Sequence, residues 1–200
     1  MTQSNGRAAD HAIDALFLQR WSPRAFTTEE ISETELARLL EAARWAPSAS
    51  NVQPWRFIYA RRGTAHWARL LGLLNPNNQL WADKAAALVF VASHTLVQRG
   101  EAAPVPSRLH AFDAGAAWGF LALQASLAGW HAHGIGGFDA QRAPAELGVP
   151  EDFHLNIAIA IGRQGPSSAL PEPLQAREIP SQRRPLSAIA FEGAFPSSTI

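Results

Sequence analysis

APSASNVQPW, residues 46–55, packs two prolines, two hydroxyl side chains and two carboxamides between a helix-forming run and a strand-forming one. Upstream, residues 31–46 (ISETELARLLEAARWA) space Leu36, Leu39, Leu40 and Ala43 along one helical face. Ser32 with Glu35, and Thr27 with Glu30 before them, match the reciprocal capping pattern that opens a helix. Pro47 closes it, because proline has no N–H to continue the ladder. Downstream, residues 55–60 have the aromatic and β-branched composition of a strand. A turn alone works with far fewer polar side chains. The surplus suits binding, since Asn51 and Gln53 each offer donors and an acceptor to a heterocycle edge on which carbonyl and NH groups alternate. On chemistry alone, turn and binding loop stand level.

Toward the N-terminus, residues 10–19 place Ile13, Leu16 and Phe17 on one face of a helix. Toward the C-terminus, residues 66–74 read as a helix and Asn75-Pro76-Asn77-Asn78 as a loop. Residues 85–93 (AAALVFVAS) are an unbroken apolar run, the pattern of a central strand covered on both faces. Residues 107–131 form a long helix, apolar nearly all round and rich in Ala and Gly, which admit close neighbours. Its most apolar part, residues 114–130, carries Gln124 and Ser126 and falls short of a spanning length, so no membrane association is expected. A strand or turn at 134–138, a short helix at 143–147 and a strand at 154–161 follow. From Gly165 onward the chain is Pro-rich, either disordered or an arm that wraps a partner. The apolar run 186–195 favours an arm that pairs as an added strand. The expected organisation is one domain over residues 1–200, with a core at 10–165 and an arm at 166–200.

Acidic and basic residues balance at 17 each. No net field therefore draws nucleic acid or an anionic membrane, any anion site must be assembled locally, and small molecules are the expected partners. The absence of cysteine removes disulfides, thiolate nucleophiles and zinc-thiolate sites together. The N-terminus lacks the apolar core of a secretory signal, so a cytoplasmic location is expected. His131 and His133 are the closest histidine pair, but no further ligand follows at metal spacing, and no metal is expected. A GxSxG elbow is missing and Ser48 has no assignable His and acid partners. Residues 134–137 (GIGG) lack the remainder of a dinucleotide fingerprint. Trp45, Trp55 and Trp118 are assigned to core or interface, while Trp21, Trp81 and Phe112 are candidates to flank a pocket.

Arg20-Trp21-Ser22-Pro23-Arg24 follows the first helix and sets two guanidinium groups around a hydroxyl. Arginine's planar fork matches phosphate oxygens and the hydroxyl adds a donor, although a surface charge cluster before a turn is the commoner use of such a run. Together with the 46–55 loop the pattern sharpens. RWSPRAF followed by ARWAPSASNVQPWRF resembles the two N-terminal signatures of the nitroreductase family, R-x-S-x-R-x-F and A-P-S-x-x-N-x-Q-P-W, in order and at family-like spacing. HAFDAGAAWGFLALQASLAGWHAHGIGGFD resembles the family's dimer-core helix and the turn after it. LGVPEDFHLNIAIAIGRQG resembles its closing helix and strand, and RRPLSAIAFEG its C-terminal arm. The likeness runs from about residue 12 to 195.

The resemblance implies an α+β fold around a mixed, mostly antiparallel sheet flanked by helices, with a domain-swapped C-terminal arm. It implies a homodimer holding FMN at its interface. Carried over by position, Arg20 and Arg24 contact the FMN phosphate with Ser22 and Trp21 nearby, and Arg163 approaches it from the strand end at Gly162. Pro47, Ser48, Asn51 and Gln53 reach the flavin from the neighbouring subunit. Gly136 and Gly137 let backbone pass close to the ring, and Asn78, among Asn77, Asn78 and Gln79, is the polar contact chosen. Trp21 stands where many relatives have a basic or small residue, and Pro104 to Ser107 interrupt a region often helical in them. The implied activity is ping-pong hydride transfer from NADH or NADPH to an electron-poor small-molecule acceptor, such as a nitroaromatic or quinone, with no catalytic side chain required. Dehalogenation, azoline oxidation or flavin fragmentation on the same fold, and a non-catalytic flavin-binding module, are the alternatives.

Overall fold

The computed structural model describes residues 5–98 and 100–196. In chain order the elements are α1 (Ala15–Gln19), α2 (Glu33–Arg44), β1 (Trp55–Arg61), α3 (Trp67–Gly72), α4 (Pro76–Ala82), β2 (Ala87–His94), β3 (Leu96–Val97), β4 (Val105–Pro106), α5 (His110–Leu127), β5 (His131–Ile135), α6 (Arg142–Leu147), β6 (Phe153–Gly162) and α7 (Glu172–Gln175). The main sheet has the order β1-β2-β6-β5, and β3 and β4 make a separate two-stranded ribbon. Every strand pairing among the described residues is antiparallel. The fold is therefore α+β, an antiparallel sheet flanked by helices.

Strand β2 shows why the apolar run is unbroken. Its alternate residues feed two different cores, Val89 and Val91 on one face, Leu88, Phe90 and Ala92 on the other. Leu36, Leu39 and Ala43 of α2 and Ala114, Ala117, Leu121 and Ala125 of α5 cover the first face. Leu70 of α3, Trp81 of α4, Ala143 of α6 and Phe26 cover the second. The alanines of α5 keep that helix close to its neighbours, since a methyl group is all that stands between backbones. Ser32 and Glu35 form the capping box at the head of α2, the serine hydroxyl accepting from the Glu35 N–H at 3.1 Å.

Three local expectations are corrected. The first helix begins at Ala15, because the Asp14 carboxylate caps it by accepting from the Leu16 N–H at 2.8 Å, and Ile13 and Phe17 are exposed. Thr27 and Glu30 open no helix; Phe26 instead bridges Gln164, and the Thr27 N–H bonds the Arg163 carbonyl at 2.9 Å. Asn75 to Asn78 is not a loop but the start of α4, with Pro76 in the first turn, where its missing N–H costs nothing. Within the single chain, Leu186–Ala188 is a 3-10 turn and the side chains to Phe195 are exposed.

Two glycines set the entry to the site. A Cβ on Gly162 would stand 2.6 Å from the Phe26 ring, and one on Gly165 would stand 2.9 Å from the Phe26 carbonyl carbon. Their bareness lets Phe26 lie across the end of β6, which brings residues 20–25 beside β5, where His133 Nδ1 lies 2.9 Å from the Pro23 carbonyl oxygen. The C-terminal segment then locks that stretch. The Glu178 carboxylate accepts the N–H groups of Arg24 at 2.7 Å and Ala25 at 2.8 Å.

Candidate functional site

Residues 20–24 leave α1 without regular structure, so successive side chains fan out around a polar cavity of about 210 Å3. Arg20, Trp21, Ser22 and Arg24 line it, joined by His133 from β5, Arg7 from the N-terminal segment and Arg177, Ile179, Ser181 and Arg183 from the C-terminal segment. Five guanidinium groups thus meet with no carboxylate in the lining among the described residues. An Arg20 Nη lies 3.5 Å from the Ser22 hydroxyl, which keeps that motif's donors on one side. Burial, then repulsion from Arg183, pulls the Arg20 pKa below its ordinary value. For Arg24 burial acts first, then Arg177, with Glu178 opposing them. All stay charged, since arginine begins so far above neutrality. An anion is what such a cavity accepts: it neutralises clustered cations and takes several forked donors at once.

His133 stacks on Trp81, centroids 4.7 Å apart, and sits behind the arginines. Its pKa is depressed, first by burial, with Arg24 adding and the Pro23 carbonyl opposing. His131, two residues earlier on the same strand, is depressed by burial and then by Arg163 and Arg20, and its Nδ1 is buried without a partner. Both therefore lie below the free value of about 6.5. The unfolded chain then binds more protons than the folded one just below that value, so stability falls as pH is lowered from about 7 toward 5, by at most about 1.4 kcal/mol per pH unit for each histidine. Thermal melts across that range are expected to show the decline, and His133→Gln is expected to flatten it; an equal slope in both proteins would assign the decline elsewhere.

The 46–55 loop lies apart from this cavity. It is exposed along most of its length, and Ser50, Asn51 and Gln53 all hold positive φ, at 51°, 55° and 51°. Three side-chain-bearing residues in the left-handed region are a local strain that surrounding bonds must maintain. The Ser48 hydroxyl accepts from the Gln53 N–H at 3.0 Å, the Gln53 amide donates to Asn51, and the Ala49 N–H donates to buried Asp113 at 3.2 Å. Ala49, Ser50 and Val52 form one wall of a second, mostly apolar cavity of about 530 Å3, closed by the β3–β4 ribbon and the N-terminal end of α5. The two cavities share no lining residue.

The other expected site residues divide. Gly136 borders open space, since a Cβ there would meet nothing within 4 Å. A Cβ on Gly137 would meet the Asn78 amide nitrogen at 2.5 Å, and that amide donates to the Gly137 carbonyl at 2.9 Å. Both residues are thus engaged with each other, while Gln79 bonds the Leu74 carbonyl and Asn77 is exposed. Gly162 serves the packing of Phe26. Arg163 does not line the arginine cavity; its guanidinium lies 4.1 Å over the Trp130 ring, bonds Glu29 at 3.2 Å and donates to the Ala128 carbonyl at 3.0 Å. Trp21 lines the cavity, Trp81 stands one layer back through His133, and Phe112 is exposed on α5. Of the remaining tryptophans, Trp55 is buried, Trp118 packs against the core, and Trp45 is exposed. Arg7, His133, Arg177 and Arg183 went unpicked by motif; the available signal was the run of arginines in an otherwise apolar and Pro-rich C-terminal segment.

No helix among the described residues is long and apolar enough to cross a membrane. Among known proteins, a model of the nitroreductase family matches residues 17–75, the segment carrying both the arginine motif and the amide loop. A crystal structure of an oxidoreductase containing FMN is 46% identical, superposes with a TM-score of 0.95 and aligns over 99% of this chain and 100% of its own. A Desulfovibrio desulfuricans protein solved in complex with FMN is 26% identical with a TM-score of 0.68, over 90% of this chain and 96% of its own. An NADH dehydrogenase of Thermus thermophilus is 29% identical over 174 residues, 72% of this chain and 83% of that protein. With both signatures inside the matched segment and a relative that superposes along nearly the whole length, the chain belongs to the nitroreductase family of oxidoreductases.

Proposed function

We propose that the chain is an FMN-dependent oxidoreductase that passes hydride from NADH or NADPH to an electron-poor acceptor such as a nitroaromatic or quinone, with FMN held between two copies of the chain. The observation that carries this reading is the convergence of five guanidinium groups and the Ser22 hydroxyl on one small cavity. The donor set fits a phosphomonoester, a dianion near neutral pH, better than a carboxylate. Just past the end of β5, the strand that carries His133, the bare backbone at Gly136 leaves room for a planar ring to approach. When bound, FMN supplies the hydride-accepting and hydride-donating centre.

The chain's own residues then bind and orient. Arg20, Arg24 and Ser22 anchor the phosphate, and Trp21 closes one wall. Asn78 and Gly137 hold the turn past which the ring lies, and Gly162 and Arg163 brace the strand end. Pro47, Ser48, Asn51 and Gln53 act from the second copy, offering donors to the pyrimidine edge where negative charge gathers on reduction. A second copy is supported by apolar area left uncovered on α5 and beside it, with Trp45 69%, Phe112 76% and Leu127 68% exposed. The exposed apolar end of the 166–200 arm supports it too. A cytoplasmic setting supplies the nicotinamide reductant.

The test is anaerobic titration of the purified protein, loaded with FMN, by NADH and by NADPH in turn. Bleaching of the flavin absorbance by at least one of them, and its return on adding a quinone, is expected. A protein that takes up no FMN, or whose bound FMN neither nicotinamide bleaches, would overturn the reading.

A further inference from the structure

We propose that the anion held among these five guanidinium groups is the counterion that docks segment 177–183 onto the body of the protein. Ligand binding and closure of that segment are then one equilibrium. The inference rests on the reading of the arginine cavity as a phosphate site and adds to it a coupling between the ligand and the position of the C-terminal segment.

The argument is one of charge. Arg20 and Arg24 alone balance a phosphate dianion. Docking the C-terminal segment brings two further guanidinium groups, Arg177 and Arg183, into a cavity that already holds three. Arg183 repels both Arg7 and Arg20, and Arg177 repels Arg24. Arg7 is only 8% exposed and has no carboxylate partner among the described residues. Its guanidinium donates to the carbonyls of Leu18 at 3.1 Å, Arg20 at 2.8 Å and Ser181 at 2.9 Å, tying the N-terminal and C-terminal segments to the end of α1. A buried cation held only by carbonyl dipoles is costly unless a full negative charge stands near. The anchors opposing this repulsion are single hydrogen bonds: the Glu178 carboxylate on two backbone N–H groups, its other oxygen buried without a partner, the Arg7 guanidinium on the Ser181 carbonyl, the amide of Gln182 on the Gly6 carbonyl at 3.0 Å and, just beyond the segment, the Leu186 N–H on the Asp10 carboxylate at 2.6 Å. A dianion in the cavity attracts all five guanidinium groups at once and reverses the sign of the balance. Its release leaves like charges facing one cavity, and the segment able to relieve them is the one that carries Arg177 and Arg183.

Trypsin reads the position of the segment directly, since Arg177 and Arg183 are both cleavage sites. Cleavage after Arg177 in flavin-free protein is expected to slow about tenfold or more with saturating FMN, and partly with millimolar inorganic phosphate, while riboflavin, which lacks the phosphate, protects no better than buffer. Arg183→Gln is expected to raise the FMN dissociation constant about tenfold and leave riboflavin binding unchanged; Arg177→Gln gives a second, independent measurement. Equal cleavage with and without FMN, equal protection by riboflavin, or parental FMN affinity in both variants would overturn the inference. Failure of the functional reading looks different: the parent protein takes up no FMN, while protection by inorganic phosphate still decides whether an anion docks the segment.

Discussion

Arg24→Ala is expected to weaken FMN binding by about 1.5 to 3 kcal/mol, on the order of ten- to a hundredfold in dissociation constant. The side chain lines the arginine cavity and is partly withdrawn from water, so its charge-assisted bonds to a phosphate are stronger than surface ones. The backbone at this position is held independently. Glu178 bonds the Arg24 and Ala25 N–H groups rather than the guanidinium, so truncation leaves that clamp in place. Flavin-free protein is therefore expected to melt at the parental temperature or slightly above it, because a cation repelled by Arg177 has been removed. Arg24→Lys keeps the charge but loses the fork, and is expected to fall between the two. Fluorescence titration with FMN beside flavin-free melts separates ligand loss from misfolding, and parental affinity in Arg24→Ala would remove that residue from the phosphate site.

Phe90→Ala is expected to cost about 3 to 5 kcal/mol of stability, a lowering of the melting temperature on the order of 10 °C for a chain of this length. Phe90 sits at the middle of β2 with 0% exposure, between β1 and β6. It meets Phe138 edge-on at 5.5 Å and 84°. Strands bonded on both sides cannot move inward to fill the hole, so the cavity term is fully felt. Denaturation must be measured without FMN, whose binding to the folded state would mask part of the loss. A change below about 1 kcal/mol would mean that the sheet relaxes around the vacancy.

Strand β2 was legible because burial on both faces leaves its mark on nearly every residue, and helix α5 because its length and its small and apolar residues admit no other element. The order β1-β2-β6-β5 was not, since the pairing of residues 87–94 with 153–162 depends on contacts that no local pattern records. The Asn75–Pro76 step was ambiguous in principle: the same dipeptide that breaks one helix can begin another. In the site, Arg20, Ser22 and Arg24 were visible as neighbours in one short motif, and the amide loop by its density of polar groups. Arg7, Arg177 and Arg183 arrive from opposite ends of the chain and carry no motif. Arg163 was assigned to the phosphate by resemblance; its guanidinium lies over Trp130, bonds Glu29 and the Ala128 carbonyl, and is not among the residues lining the arginine cavity. Gly137 and Gly162 each leave room for a neighbouring side chain, the Asn78 amide and the Phe26 ring, a use that one dimension does not distinguish from room left for a ligand.

The bonds joining Arg7 to Ser181 and Gly6 to Gln182 close loops of 174 and 176 residues. Contacts of such separation repay their loop-closure entropy only once the intervening chain is already compact, which puts them late on the folding route. On the proposed reading of the arginine cavity, FMN would meet a nearly finished molecule and would not serve as a template for its assembly. It would then be expected to slow unfolding without hastening refolding, the sheet and both cores forming before the cavity that is proposed to take the phosphate.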